Sequence, residues 1–204
     1  MFCIFKRLFD IISAFIVLII ISPLLLVIAA AVKYSIGSPV LFIQERSGMG
    51  QKSFLIKKFR TMTNETDSNG DLLPDEKRQT KIGKFLRSSS LDELPELFSI
   101  VKGDMSVIGP RPLPPLYNDY YTDREKKRFD VRSGLLPPDS VAMSATITWD
   151  KQLEYEADYA ENLSLINDLR IFGAAVKLVF IRKKINYGGY VRKPLNEERK
   201  SNGI

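Results

Sequence analysis

Apolar and polar positions are distributed unevenly along the 204-residue chain. The sequence changes from a long apolar run to a mixed apolar and polar pattern near residue 33. The stretch from Ile11 to Val32 carries no charged residue. Its length matches the roughly 20 residues that an α-helix needs to cross the hydrocarbon core of a bilayer, so the pattern predicts a membrane helix. A cleaved signal peptide is the competing interpretation, but this run is longer than the roughly 7–15 apolar residues of such a peptide.

The predicted membrane helix is interrupted near its middle by Ser22-Pro23. Proline removes a backbone donor and clashes with the preceding turn, so we expect a kink or a break there. Lys6 and Arg7 precede the apolar run and Lys33 follows it, so charge asymmetry favours neither direction of crossing. Two interpretations remain: a kinked helix that spans the membrane, and a re-entrant helix that turns at Pro23 and leaves on the face where it entered.

Beyond residue 36 the pattern becomes that of a small α/β domain with short elements. Apolar runs bounded by turn residues predict two strands, Pro39–Gln44 and Ser53–Phe59, and the glycines between them favour a hairpin. Helical spacing of apolar residues predicts helices at Lys77–Arg87 and Leu91–Lys102. Three further helices are expected at 123–130, 150–162 and 169–185.

The last of these helices is apolar on one side and basic at its end. Such a helix rests on an anionic membrane surface or is a buried C-terminal core helix, and the pattern leaves both open. Residues 186–204 are polar and are expected to form a mobile tail. The chain is therefore predicted to consist of a membrane anchor at 1–36, a folded domain at 37–185 and this tail.

The amino-acid composition limits the classes of partner and of catalytic side chain that the protein can use. The formal net charge of +6 favours anionic partners, which include nucleic acid, acidic phospholipid and phosphorylated substrates. Nucleic acid is disfavoured because the basic residues accompany a lipid anchor and no binding motif is present. A single cysteine excludes a disulfide framework, and the absence of histidine excludes a Ser/His/Asp triad and histidine-ligated metal sites. Chemistry must therefore use carboxylates, lysines, arginines or hydroxyls.

Two adjacent carboxylates, Asp92 and Glu93, lie in the first turn of the predicted helix 91–102. A structural interpretation is available, because Ser90 and Glu93 have the spacing of a capping box. In the functional interpretation, the amides of the helix N-terminus keep Asp92 ionised and attract a phosphate. A carboxylate and a phosphate at one place repel each other, so cations are needed between them. A divalent ion and five basic residues are the candidates: Lys57, Lys58, Arg60, Arg87 and Arg111.

Arg111 is flanked by Pro110 and Pro112. The two prolines restrict the backbone, so the guanidinium has little conformational entropy left to lose. The segment therefore fits either a phosphate clamp or a rigid surface turn.

Four segments occur in a fixed order: the anchor with Ser22-Pro23, then Lys58–Met62, Arg87–Leu97 and Lys102–Pro112. Together they resemble the small monotopic phosphoglycosyl transferases of the bacterial sugar transferase family. The resemblance implies a mostly helical α/β cytosolic domain with an N-terminal re-entrant helix, broken at Ser22-Pro23, and with amphipathic interfacial helices. It places the catalytic domain at the cytosolic face of the bacterial inner membrane.

The resemblance also implies a reaction. Asp92 attacks the β-phosphate of a UDP-sugar, UMP leaves, and polyprenyl (undecaprenyl) phosphate then collects the sugar phosphate from the enzyme. Asp92 contacts Mg²⁺ in this scheme, while Glu93 assists the acceptor or orients the site. Lys58, Arg87 and Arg111 match family positions associated with binding phosphate or the catalytic carboxylates, and Arg60 is a further predicted phosphate contact. The sequence leaves the oligomeric state open, a homodimer included.

After Arg132 the chain departs from the family pattern. Relatives commonly continue with R-P-G-x-x-G and a later Q-V-x-G-R, whereas this chain has Arg132-Ser-Gly-Leu-Leu-Pro-Pro-Asp139. We therefore expect different contacts to the sugar nucleotide. Two other functions stay open from the sequence, a membrane phosphohydrolase and a non-catalytic scaffold of a glycan pathway.

Overall fold

The computed structural model describes residues 2–144, 147–181 and 192–201, and these are mostly helical with two small sheets. The chain divides into two compact units, each assembled from separate segments. This division does not follow the predicted boundaries at residues 36 and 185. The first unit comprises Met1–Ile12, Glu45–Phe54 and Ile100–Ile204, and the second comprises Ser13–Gln44 and Leu55–Ser99.

Helix α1 is a single element of 34 residues, Phe2–Ser35. At 1.5 Å per residue it is about 51 Å long, and it is long and apolar enough to cross a membrane. Only 11% of its most apolar 18-residue window is buried, so it is not the core helix of a soluble domain. The helix continues through Pro23, and Ser22 Oγ donates to the Ile19 carbonyl at 2.8 Å. The break at Ser22-Pro23 stays a prediction.

Strands β1, Leu41–Ser47, and β2, Ser53–Phe59, pair in a two-stranded sheet, which confirms the predicted hairpin. The first strand begins two residues later than expected, since Pro39 has no amide to donate to a sheet. After β2 come a short helix α2, Asp75–Arg78, and helix α3, Lys81–Ser89. Thr80 caps α3 by accepting from the Gly83 amide at 3.0 Å. This cap explains why the helix begins at Lys81 and not at Lys77.

The core of the second unit lies between the C-terminal part of α1, strand β2 and helix α3. Ile28, Val32, Phe59 and Leu86 form its buried cluster. Gly83 lets α3 approach the chain closely, because a Cβ atom there would lie 1.8 Å from the Thr61 carbonyl oxygen. The C-terminal part of α1 is therefore buried in the core of the second unit, whereas the most apolar part of the helix is mostly exposed.

The predicted helix 91–102 has two parts, a 3₁₀ turn at Leu91–Glu96 and helix α4 at Leu97–Lys102. In the first unit, β3, Met105–Ile108, pairs in parallel with β4, Ser133–Leu136. The expected helix at 123–130 is a 3₁₀ helix, Glu125–Asp130.

Three helices complete the first unit: α5, Trp149–Glu161, α6, Leu165–Ile181, and α7, Leu195–Ser201. Helix α5 confirms the prediction at 150–162. Helix α6 begins four residues earlier than expected, and its predicted end at 185 lies outside the described residues. The mobile tail is a wrong prediction for residues 195–201, because Leu195 is fully buried in a cluster with Trp149 and Leu153. Leu195 is one apolar residue in a polar stretch, so the sequence there had no hydrophobic periodicity from which a packed helix could be predicted.

Candidate active site

The turn that carries the two predicted catalytic carboxylates begins at Ser90. This residue ends α3 in the left-handed region, with φ 56°, and its amide donates to the Arg87 carbonyl. Its side chain makes no capping bond to the turn that follows. The capping-box interpretation of Ser90 and Glu93 is therefore wrong, because the backbone at Ser90 is used to end one helix and not to cap the next.

Lys58 is the centre of an ion-pair cluster in the second unit. Its Nζ donates to Glu93 Oε1 at 2.7 Å and lies 3.1 Å from Glu96 Oε1. Strand β2 presents the lysine, and the 3₁₀ turn places the two glutamates three residues apart, on one side of the turn. Sequence reasoning did not identify Glu96, although its spacing from Glu93 was a usable signal. Burial alone would lower the pKa of Lys58, but the two carboxylates outweigh it and raise the pKa.

Asp92 is buried, with 9% of its surface exposed. Burial raises the pKa of this carboxyl, and the charge of Glu93 adds to the rise, while Lys58 and Arg87 act in the opposite direction. Desolvation of the carboxylate thus outweighs its backbone hydrogen bonding in setting the direction of the pKa shift, and the ionised state of Asp92 stays a prediction. Burial and Glu93 therefore favour the protonated form of this carboxyl, whereas Lys58 and Arg87 favour the carboxylate.

The five candidate cations have different positions, and Lys57 is exposed on β2. Lys58 and Arg87 act electrostatically on Asp92. Arg60 is buried and donates to the main-chain carbonyl of Pro39 at 3.0 Å, so its observed contacts are structural. Its phosphate contact stays a prediction. Arg111 belongs to the first unit, where its side chain is exposed.

The segment that departs from the family pattern forms β4 and a following 3₁₀ helix, Pro138–Ala142. Within it, one carboxylate oxygen of Asp139 is buried and accepts no hydrogen bond from any described residue. Burial raises the pKa of Asp139, and the positive charge of Arg111 opposes the rise. The atypical segment thus brings an acid into the surroundings of Arg111.

The described structure thus combines an apolar N-terminal helix with a small domain in which a buried acid lies near a lysine. The family model for bacterial sugar transferases matches residues 1–182, and the chain belongs to this family. The resemblance inferred from the four motifs is confirmed. Helix α7 lies beyond the matched residues.

Three relatives show the range of similarity. The "Uncharacterized sugar transferase EpsL" of Bacillus subtilis (strain 168) is 42% identical over 188 residues, which are 92% of this chain and 93% of that protein. The UDP-glucose:undecaprenyl-phosphate glucose-1-phosphate transferase of Klebsiella pneumoniae is 39% identical over 88% of this chain and 41% of its own length. The UDP-N-acetylgalactosamine-undecaprenyl-phosphate N-acetylgalactosaminephosphotransferase of Aeromonas hydrophila is 34% identical over 85% of this chain and 43% of its own length. This chain therefore spans less than half of the last two proteins.

Proposed function

We propose that this protein transfers a sugar-1-phosphate from a UDP-sugar to polyprenyl (undecaprenyl) phosphate, with release of UMP, as the first membrane step of glycan assembly. The observation that carries the proposal is the buried Asp92 beside the cluster of Lys58 with Glu93 and Glu96. The family membership supports it, as do the reactions for which the Klebsiella and Aeromonas relatives are named.

Asp92 is the proposed nucleophile. One of its carboxylate oxygens bonds to the β-phosphorus of the donor, and the bond from that phosphorus to the bridging oxygen breaks, so that UMP leaves with the electron pair. The sugar phosphate is then covalently attached to Asp92. A phosphate oxygen of the polyprenyl acceptor attacks the same phosphorus and restores the free carboxylate. Covalent catalysis thus divides one transfer between two large anions into two displacements.

We propose Mg²⁺ as the cofactor. Glu93 and Glu96 are both paired with Lys58, whereas Asp92 forms no salt bridge with any described residue. No group of three acidic side chains in the described part of the chain is arranged to hold a metal ion. Mg²⁺ commonly takes one or two carboxylates and completes its coordination with substrate phosphate and water, so Asp92 is the proposed ligand. Bound there, the ion would supply positive charge that offsets the phosphates.

The contacts of Glu93 favour a role in positioning Lys58 over a direct role in the reaction. Its carboxylate is the nearer partner of Lys58, and Glu96, with 4% of its side chain exposed, holds the same ammonium from a second direction. An ammonium fixed between two carboxylates has already lost rotamer freedom before the substrate binds. The entropic cost of a contact between this ammonium and a substrate phosphate is therefore smaller.

We further propose that α1 is a re-entrant anchor and that α6 lies in the membrane interface on the cytosolic face. Exposed apolar side chains follow one side of α6 at helical spacing: Leu165, Leu169, Phe172 and Val176. Lys6, near the start of α1, forms a salt bridge with Asp168 of α6 at 2.9 Å. This bridge ties the beginning of the apolar helix to the helix with the exposed apolar side.

The decisive experiment measures UMP release by detergent-solubilised protein from a panel of UDP-sugars, including UDP-glucose and UDP-N-acetylgalactosamine, with Mg²⁺ and undecaprenyl phosphate. The transferase predicts UMP release that Asp92→Asn abolishes and that the control Asp158→Asn, on the exposed face of α5, preserves. Without acceptor, the intact wild-type protein should gain the mass of one sugar phosphate. Steady UMP release without lipid would instead identify a phosphohydrolase, and no release from any donor would favour a scaffold.

A further inference from the structure

The main chain of Arg111 is held from both sides by a buried ion pair. Its amide donates to Glu156 Oε1 at 3.1 Å, and its carbonyl accepts a hydrogen bond from the guanidinium of Arg128. Arg128 Nε and Glu156 Oε2 are 2.7 Å apart, and both side chains are almost completely buried. Buried charges are tolerated only with full pairing, so this pair and the Arg111 peptide depend on each other.

The same carboxylate connects to the C-terminal segment of the protein. Gln152, one turn before Glu156 on α5, donates through Nε2 to Glu156 Oε1 at 3.0 Å. The other end of its amide, Oε1, accepts from Arg192 Nη2 at 2.8 Å. Only one orientation of the Gln152 amide satisfies both neighbours, because a carboxylate only accepts and a guanidinium only donates. An unbroken hydrogen-bond chain therefore runs from Arg192 through Gln152 and Glu156 to the amide of Arg111.

Arg192 is itself fixed by contacts that leave it little freedom. Its guanidinium lies 3.5 Å from the centroid of the Trp149 ring, and Nη1 donates to the Ile147 carbonyl at 3.1 Å. The Trp149 indole N–H in turn donates to the Lys193 carbonyl at 2.9 Å. The segment that supplies Arg192 follows the last residue, 182, that matches the family model.

We propose that Arg192, Gln152 and Glu156 are positioning residues for Arg111, and that through this chain the C-terminal segment sets the affinity for the UDP-sugar. The inference rests on the proposed function and on the prediction from the sequence that Arg111 contacts phosphate. The backbone of Arg111 is fixed by the chain while its side chain stays exposed, and Pro110 and Pro112 restrict the two adjacent residues. A guanidinium on a fixed backbone loses less entropy when it binds phosphate.

The kinetic test compares Arg192→Gln with Arg199→Gln. Arg199 lies on the same C-terminal segment and pairs with Glu125 and Asp150, but it has no contact with the hydrogen-bond chain in the described structure. We expect Arg192→Gln to raise KM for the UDP-sugar about five-fold, the effect of one lost hydrogen bond, with kcat within about two-fold of wild type. Arg199→Gln should leave KM unchanged, and Arg192→Lys, which keeps a donor for Gln152, should restore part of the affinity.

A second measurement does not depend on turnover. Proline has no amide hydrogen, so Pro110 and Pro112 give no signal in hydrogen–deuterium exchange. In a peptide covering residues 109–112, the exchange of the Arg111 amide hydrogen is therefore measured without a contribution from its two neighbours. We expect faster exchange at Arg111 in Arg192→Gln and in Gln152→Leu, and no change in Arg199→Gln. Equal effects of Arg192→Gln and Arg199→Gln, or unchanged exchange in Arg192→Gln, would overturn the proposal. Absence of UMP release from wild type, with exchange at Arg111 still dependent on Arg192, would overturn the proposed function and the effect on UDP-sugar affinity, while the positioning of the Arg111 backbone would stand.

Discussion

Lys58 and Glu93 are joined by a hydrogen bond of 2.7 Å between residues 35 positions apart in the chain. Glu96 holds the same ammonium at 3.1 Å, so the lysine beside Asp92 has two carboxylate partners. The Lys58 ammonium is therefore held in place by side chains of the protein itself.

Replacing Lys58 by Met tests this organisation. The variant leaves Glu96 buried without its cation, which should lower the free energy of unfolding by about 2 kcal/mol, less than for a fully buried pair because Lys58 is one quarter exposed. Denaturant unfolding in detergent measures this loss. Lys58→Arg keeps the charge and should retain most of the stability while it lowers UMP release, and equal stability of wild type and Lys58→Met would contradict the cluster.

Asp92 gives a pH dependence with a definite sign. Because its pKa in the folded protein is raised above 3.8, the carboxyl binds its proton more tightly in the folded than in the unfolded chain. This stabilisation is complete below about pH 4 and is lost as the pH rises through the raised pKa. Asp92→Asn has no such loss, so its melting temperature relative to wild type should increase from pH 4 to pH 7 in buffer without Mg²⁺. A constant difference would show that burial does not perturb Asp92.

The nucleophile must be ionised, so the same carboxyl should limit activity in acid. We expect kcat/KM to fall at low pH with an apparent pKa above 3.8. Raising the Mg²⁺ concentration should move this acid limb to lower pH, since a cation at Asp92 favours the carboxylate. An acid limb that does not respond to Mg²⁺ would exclude Asp92 as the metal ligand.

Phe172 on α6 is expected to contact lipid. The chain has one cysteine, Cys3, so a spin label at position 172 in a Cys3→Ser background is the only one on the protein. In liposomes the label should be accessible to oxygen and protected from a water-soluble nickel complex. The same label at Asp158, exposed on α5, should show the reverse. Equal nickel accessibility at the two positions would contradict an interfacial α6.

Two glycines offer a paired test of the packing. Gly83→Ala places a methyl group 1.8 Å from the Thr61 carbonyl oxygen, and the required shift should reduce stability by about 3 kcal/mol. Gly173 lies within α6 with no atom within 4 Å of its Cβ direction, so Gly173→Ala should stabilise the protein by about 0.5–1 kcal/mol. Thermal melts of the two variants in detergent measure the difference, and similar melting temperatures would contradict this packing of α3.

The sequence by itself determined the elements whose signals are local. An uncharged apolar run predicts α1, and a short apolar run bounded by turn residues predicts β2, because such patterns lie within one element. The helix expected at 150–162 is α5. The order of four motifs also identified the family.

The tertiary structure decided what depends on residues far apart in the chain. Ser90 had the spacing of a cap, but the end of α3 set its backbone conformation. Burial raises the pKa of Asp92, a shift that its position in a first helical turn did not indicate. The pairing of Lys58 with Glu96 and the chain from Arg192 to Arg111 required segments separated by tens of residues to meet. Burial and long-range pairing are properties of the assembled fold, and no local pattern specifies the electrostatic free energy that they impose on a side chain.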